Sequence, residues 1–308
     1  MRQLLRHILC FFIIPAAFTV AAVVNAVAGQ IFLQDQVLSH DTTWSGEVVI
    51  SGVIVVGRGV TLTIKPGTTI RFKRIDRNQD GIGDSEIRVL GRLLAQGTAE
   101  KKIRFVSAEE NPAPKDWSFV LIFTSGRINL VSFCEFSHAF SGLQVHFSTA
   151  KVTNNTFTDN NEGLRFGRCH LLIENNLFRD NKIGIRFTRM EGPVFIRHNE
   201  VTRNQVGIFL VPSGQNIQDF FNPDRRTPWN TGHLTISGNN IHANSHYNLD
   251  LGAKQLWDLE ISDNWWGTTD SGRIEESIFD RHRDPLLGRA IFTPFAKNPF
   301  ATAGILPK

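Results

Sequence analysis

Three groups of residues in this chain have types and spacings that could do chemistry. The first is the stretch 76–86, where Asp76, Asn78, Asp80, Ile82, Asp84 and Glu86 alternate with other residues and Gly81 follows the third donor. Calcium loops draw side-chain oxygens from positions 1, 3 and 5, a backbone carbonyl from 7 and a further ligand from 9. That pattern assigns a structural calcium ion to Asp76, Asn78, Asp80, the Ile82 carbonyl and Asp84. The bidentate glutamate of position 12 has no counterpart, since Ile87 stands there and Glu86 comes one place early. A solvated acidic turn between Phe72 and Ile87 explains the same residues without a metal. The second group pairs Arg165 with Arg186, and the third pairs Asp159 with Asp180 at the same interval. If that interval is one structural repeat, the two guanidiniums stand ~5 Å apart. They then repel unless an anion or carboxylate lies across them. A uronic-acid polymer is one such anion; a solvated face with Asp159 and Asp180 as partners is the other account. Two carboxylates at that distance suit retaining glycoside hydrolysis or a shared calcium. Acidic residues also simply suit a turn.

These residues hang on a repeat. VTNNTFTDNNEGLRF from Val152, IENNLFRDNKIGIRF from Ile173 and IRHNEVTRNQVGIFL from Ile196 are copies of one phrase, with looser copies from Ile236 and Ile261. The first asparagine of each copy falls at Asn155, Asn176, Asn199, Asn239 and Asn264, and the second at Asn160, Asn181, Asn204 and Asn244. A fixed period of about 20 residues is the mark of a solenoid. The period is too short for a βαβ unit of roughly 30 residues. Within each copy the residues alternate as in a strand: Leu164 and Phe166 share one face and Arg165 takes the other. The expected architecture is all-β, a right-handed parallel β-helix with one copy per coil. Stacked asparagines then satisfy each other and the backbone groups freed at the corners, a structural and not a catalytic role. Cys134 takes the place of the first rung and reads as a buried apolar substitute. In one phase of the coils Gln144, Arg165, Arg186, Phe209 and Asp250 form an outward row.

The step from Asn199 to Asn239 is nearly twice the normal one, so a segment bulges out at about 211–233. Long loops on rigid scaffolds often carry function. This one offers Phe220, Phe221 and Trp229 for stacking on sugar rings and Arg225 and Arg226 for hydroxyl or carboxylate contacts. A loop packed on its own aromatics is an equal account of it.

The ends and the composition narrow the function classes. Residues 1–28 open with Arg2 and Arg6, continue with an apolar stretch and close on Ala26-Val27-Ala28, which reads as a secretory signal peptide. The mature chain, 29–308, then has no membrane span and forms a single β-helix domain, capped at its C-terminal end by about 265–308. Net charge is +4 and Arg2 and Arg6 supply two of it, too mild for nucleic acid. Cys134 and Cys169 could pair in an exported protein, but three cysteines in all make no disulfide scaffold.

The segments VTLTIKPGTTIRFK, LGRLLAQGTAEKKIRFVSAEE with DWSFVLIF, and NWWGTTDSGRIEESIFDRHRDPLLGRAIFTPF resemble the exported right-handed parallel β-helix repeat proteins of bacteria, within the pectate-lyase-like superfamily. The acidic loop resembles the calcium repeats of thrombospondin-type modules. The family resemblance implies the fold. Its members include lyases, hydrolases, epimerases and a periplasmic copper-assembly factor, so it does not fix a function. Ten scattered histidines and two methionines do not suggest a Met/His-rich copper site. The expectation is therefore an exported, periplasmic or extracellular, non-catalytic β-helix with a calcium loop that binds a polysaccharide or another surface polymer. Two alternatives stand beside it. One is a polysaccharide lyase, hydrolase or epimerase using Asp159, Asp180 and Arg165 or Arg186. The other is a structural envelope component.

Overall fold

The computed structural model describes residues 26–27, 30–188, 193–210, 234–252 and 255–305. The chain winds as a right-handed parallel β-helix. One coil shows the plan. Thr149–Thr153 lies on one face, Thr156–Thr158 on the next and Glu162–Gly167 on a third, before His170–Glu174 returns to the first face one layer on. Each strand pairs in parallel with its counterpart in the following coil, Thr149 with His170, Phe157 with Phe178 and Leu164 with Ile185. Two of the three ladders share the long strand Glu47–Val56 and so count as one 18-stranded sheet; the third ladder has eight strands.

The corners explain why the sequence turns where it does. Asn154, Asn175 and His198 precede the first asparagine of their copies, and Asp159, Asp180 and Arg203 precede the second; all adopt positive φ, between 55° and 57°. Asn and Asp tolerate this left-handed conformation best among residues with a Cβ, and they dominate these positions. The next residue is the rung. Asn155 Nδ2 donates to Asn176 Oδ1 at 2.9 Å, Asn176 to Asn199 at 3.0 Å, Asn199 to Asn239 at 2.9 Å and Asn239 to Asn264 at 2.9 Å. The second ladder runs Asn160, Asn181, Asn204, Asn244 and ends on Asn248. Each rung also accepts a backbone N–H from the rung before it, as Asn176 does from Asn155. The buried amides are therefore satisfied in both directions, which avoids a penalty of ~1–3 kcal/mol per orphaned group. Cys134 starts the first ladder: its N–H donates to Asn155 Oδ1 at 2.8 Å and its buried side chain fills the place of an amide.

Inside the coil the apolar residues stack as the strands do. Phe105, Phe136, Phe157 and Phe178 form a column of near-parallel rings with centroids 4.5, 4.9 and 4.8 Å apart. Phe166 and Phe187 stack at 5.3 Å, and Phe72 lies on Trp117 at 4.1 Å. The ring spacing follows the ~4.8 Å strand spacing. Gly163 leaves room for the column. A Cβ there would lie 2.6 Å from the Gly184 carbonyl oxygen and 3.2 Å from Phe157 Cβ. Cys134 and Cys169 are buried and free. Near the C-terminal end, Ile278–Phe279 pairs with Tyr247–Asp250, and the short helix Ser271–Glu276 is capped by Asp270, which accepts from Gly272 N and Arg273 N.

Candidate functional site

The outward row on the face of Glu162–Gly167 is the place where chemistry-bearing side chains gather. Arg88 pairs with Leu121, Leu121 with Gln144, Gln144 with Arg165, Arg165 with Arg186, Arg186 with Phe209 and Phe209 with Asp250. These seven side chains stand in one line, ~4.8 Å from one to the next. Alternation turns them away from the core, which their neighbours Leu143, Leu164, Ile185 and Ile208 fill, although Gln144 is itself buried at 7 % exposure.

The electrostatics of this row centre on a residue that the repeat did not bring forward. Glu162, 1 % exposed, forms an ion pair with Arg186 and is its carboxylate partner. Glu162 occupies the register position held by Ser141 and Ile183 in the adjacent coils. The only signal in the sequence is a carboxylate two residues after the second rung, where the next copies carry Ile183 and Val206. The Arg186 guanidinium carbon also lies 5.9 Å from the centre of the Phe209 ring.

Arg165 is different. Among the described residues it makes no hydrogen bond and no ion pair within 4 Å. Its Nε is a buried donor without an acceptor, as are Arg186 Nε and, on the acceptor side, Glu162 Oε2. Burial holds the Arg165 pKa below its ordinary range, Glu162 works against that shift and Arg186 adds to it. His146, partly buried on the same strand as Gln144, is pushed down to about 4 by burial and then by the Arg165 charge. It is therefore neutral at neutral pH and supplies no compensating charge. At the far end of the row burial raises the Asp250 carboxyl, against the Gly252 N–H and His246.

The remaining sequence candidates fall elsewhere. Asp159 and Asp180 are corner residues in the left-handed conformation, and Asp180 is held by Arg203, whose Nε lies 3.0 Å from its Oδ1. Arg186 pairs with Glu162 and not with either of them. In the acidic loop, Asp76 accepts from the backbone N–H of Asp80 and Gly81, Asp80 from that of Ile82, and Asp84 from that of Arg77. Glu86 does not join them: it is buried and ion-paired with Arg88 on the strand that follows. Burial, opposed by Arg88, raises its pKa. Phe220, Phe221, Arg225, Arg226 and Trp229 lie outside the described residues, as does most of 1–28.

No metal-binding group of three or more His, Cys, Asp or Glu side chains forms among the described residues. Cys134 and Cys169 are 1 % and 2 % exposed, and burial raises both thiol pKa values far above the ordinary range. Thiols held protonated in this way are poor metal ligands. No helix among the described residues is long and apolar enough to cross a membrane.

The family model described as periplasmic copper-binding protein (NosD) matches residues 40–223, more than half of the chain. The chain belongs to the NosD family. No curated protein and no solved structure matches it. NosD proteins are periplasmic by that description, which agrees with an exported chain. The metal in the family description is copper, not the calcium that the loop at 76–86 suggested. The donors described in this NosD chain do not fit a copper site: the two thiols are buried and protonated, and no third donor joins either of them.

Proposed function

We propose that the protein is a non-catalytic periplasmic β-helix that binds a polysaccharide or another surface polymer along the outward row on the face of Glu162–Gly167. The observation that carries the reading is the line Leu121, Gln144, Arg165, Arg186, Phe209 and Asp250. It sets apolar, hydrogen-bonding and charged side chains at one fixed spacing over about 24 Å. A row of fixed spacing suits an extended ligand, since several linked contacts along one chain add to its affinity. The Phe209 ring lies beside the Arg186 guanidinium, whose carbon is 5.9 Å from the ring centre. The segment 211–233, with Phe220, Phe221 and Trp229, begins two residues after Phe209 in the chain. A catalytic use of Asp159 and Asp180 is less favoured, because Asp180 is engaged by Arg203 and both sit at corners.

Copper binding comes to this chain from the family description and is the second reading. The described donors argue against it, and copper content after dialysis of the purified protein against copper tests it directly. Glycan binding is tested by titrating the full chain with a panel of acidic and neutral polysaccharides. Phe209→Ala should weaken binding several-fold, in line with the ~0.5–2 kcal/mol of a half-buried ring contact. Absence of binding to every glycan on the panel would overturn the proposal.

A further inference from the structure

Resting on that reading, we propose that the polymer is acidic, and that its carboxylate groups are taken by Arg165 together with Arg186. Charge is the reason. Two guanidiniums occupy adjacent positions of the row, and the one carboxylate packed beside them among the described residues, Glu162, forms its ion pair with Arg186 and acts on Arg165 only through space. The cluster is left with one positive charge that no described residue neutralises. The remaining titratable group on this part of the sheet, His146, stays neutral, and Asp250 stands two register positions beyond Arg186 with Phe209 between them. An arginine that is partly buried, unpaired and set beside a like charge costs stability. A protein that keeps one there holds a site for an anion. A carboxylate matches the planar guanidinium fork through two parallel hydrogen bonds. Arg165 and Arg186 lie along the coil axis, so successive acidic units of a chain running along the row would meet them in turn. Phe209, one step on, offers its ring to the next sugar.

The test uses the full chain and three probes: a uronic-acid oligomer, a neutral oligosaccharide of the same length, and sodium acetate. Calorimetric titration should show the acidic oligomer binding about tenfold or more tightly than the neutral one, with affinity falling as salt rises. Arg165→Gln should lose about tenfold or more for the acidic oligomer and leave the neutral one unchanged. It should not lower the melting temperature of the ligand-free protein, because it removes a charge that has no partner. Arg186→Gln is the poorer variant, since it strands Glu162 in a buried position. Equal binding of both oligomers, unaffected by Arg165→Gln, would refute acidic specificity while leaving polymer binding standing. Failure of both oligomers to bind would sink both readings. Acetate binding as tightly as the oligomer would assign Arg165 to a free small anion and overturn the polymer. A melting temperature lowered by several degrees in Arg165→Gln would make Arg165 a structural residue and overturn the site.

Discussion

Replacing Asn176 with alanine should be among the most damaging changes that leave the apolar core intact. The Asn176 amide oxygen accepts the Asn155 backbone N–H and the Asn155 amide, both at 2.9 Å. Its amide nitrogen donates to the Val152 carbonyl at 2.9 Å, to the Glu174 carbonyl at 3.1 Å and to Asn199 at 3.0 Å. Some of these partners have another bond to fall back on. The Asn155 amide keeps the Val131 carbonyl, the Glu174 carbonyl keeps the Asn154 N–H, and Asn199 Oδ1 keeps the backbone N–H of residue 176. The Asn155 N–H is left without its acceptor, while the Val152 carbonyl belongs to a strand paired with the next coil. At ~1–3 kcal/mol for a buried group left unsatisfied, the expected loss is about 1–3 kcal/mol before any cavity term. The assay is urea unfolding of the wild type and Asn176→Ala, with hydrogen exchange at the Asn155 amide as the local readout, because solenoids can unfold piecewise. A loss under about 1 kcal/mol with Asn155 protection unchanged would refute the reasoning that each rung satisfies the coil before it.

Two further outcomes follow from the same structure. His146 has a folded pKa of about 4 against an ordinary value of 6.5. The unfolded chain therefore binds the proton first as pH falls, and the stability this group contributes is complete above about 6.5 and lost as pH falls through about 4. The upper end of that contribution is about 3 kcal/mol; thermal melts at pH 7.5 and pH 5 should show a smaller acid-induced drop in His146→Gln than in the wild type, and equal drops would count against the burial of this histidine. Gly163→Ala should cost about 1–3 kcal/mol, since the added methyl would sit 2.6 Å from the Gly184 carbonyl oxygen; a melting temperature equal to wild type would show that the coil gives way there.

The architecture was legible in the sequence because its main polar device is written in the sequence itself. An asparagine that bonds to the next asparagine must recur at every coil, so the spacing of Asn155, Asn176 and Asn199 is the spacing of the hydrogen bonds. The alternation of Leu164, Arg165 and Phe166 likewise places Arg165 outside and its neighbours in the core. Partner choice was less legible. Arg186 takes Glu162, from the preceding coil and a different position of the repeat, while Asp180 takes Arg203 from the following coil. Such pairings depend on side-chain reach across strands, which a one-dimensional period does not encode. The place of Glu86 was hidden for a related reason. It looks like the last donor of an acidic loop, but it is the first residue of the strand Glu86–Val89 and belongs to the sheet.

The rungs are 21, 23 and 40 residues apart along the chain, yet they are bridged by hydrogen bonds of 2.9–3.0 Å throughout. Register fixes where the surplus goes. Phe166 faces Phe187 and Leu171 faces Val194, then Phe187 faces Leu210 and Val194 faces Leu234. These extra residues enter at the same corner, after the strand of the Glu162–Gly167 face and before the start of the eight-stranded sheet. That corner is a splice point. Foreign peptide grafted between Leu210 and Leu234 would leave both amide ladders uninterrupted, and a lineage could trade recognition segments there, beside Phe209, without refolding the rod that carries them.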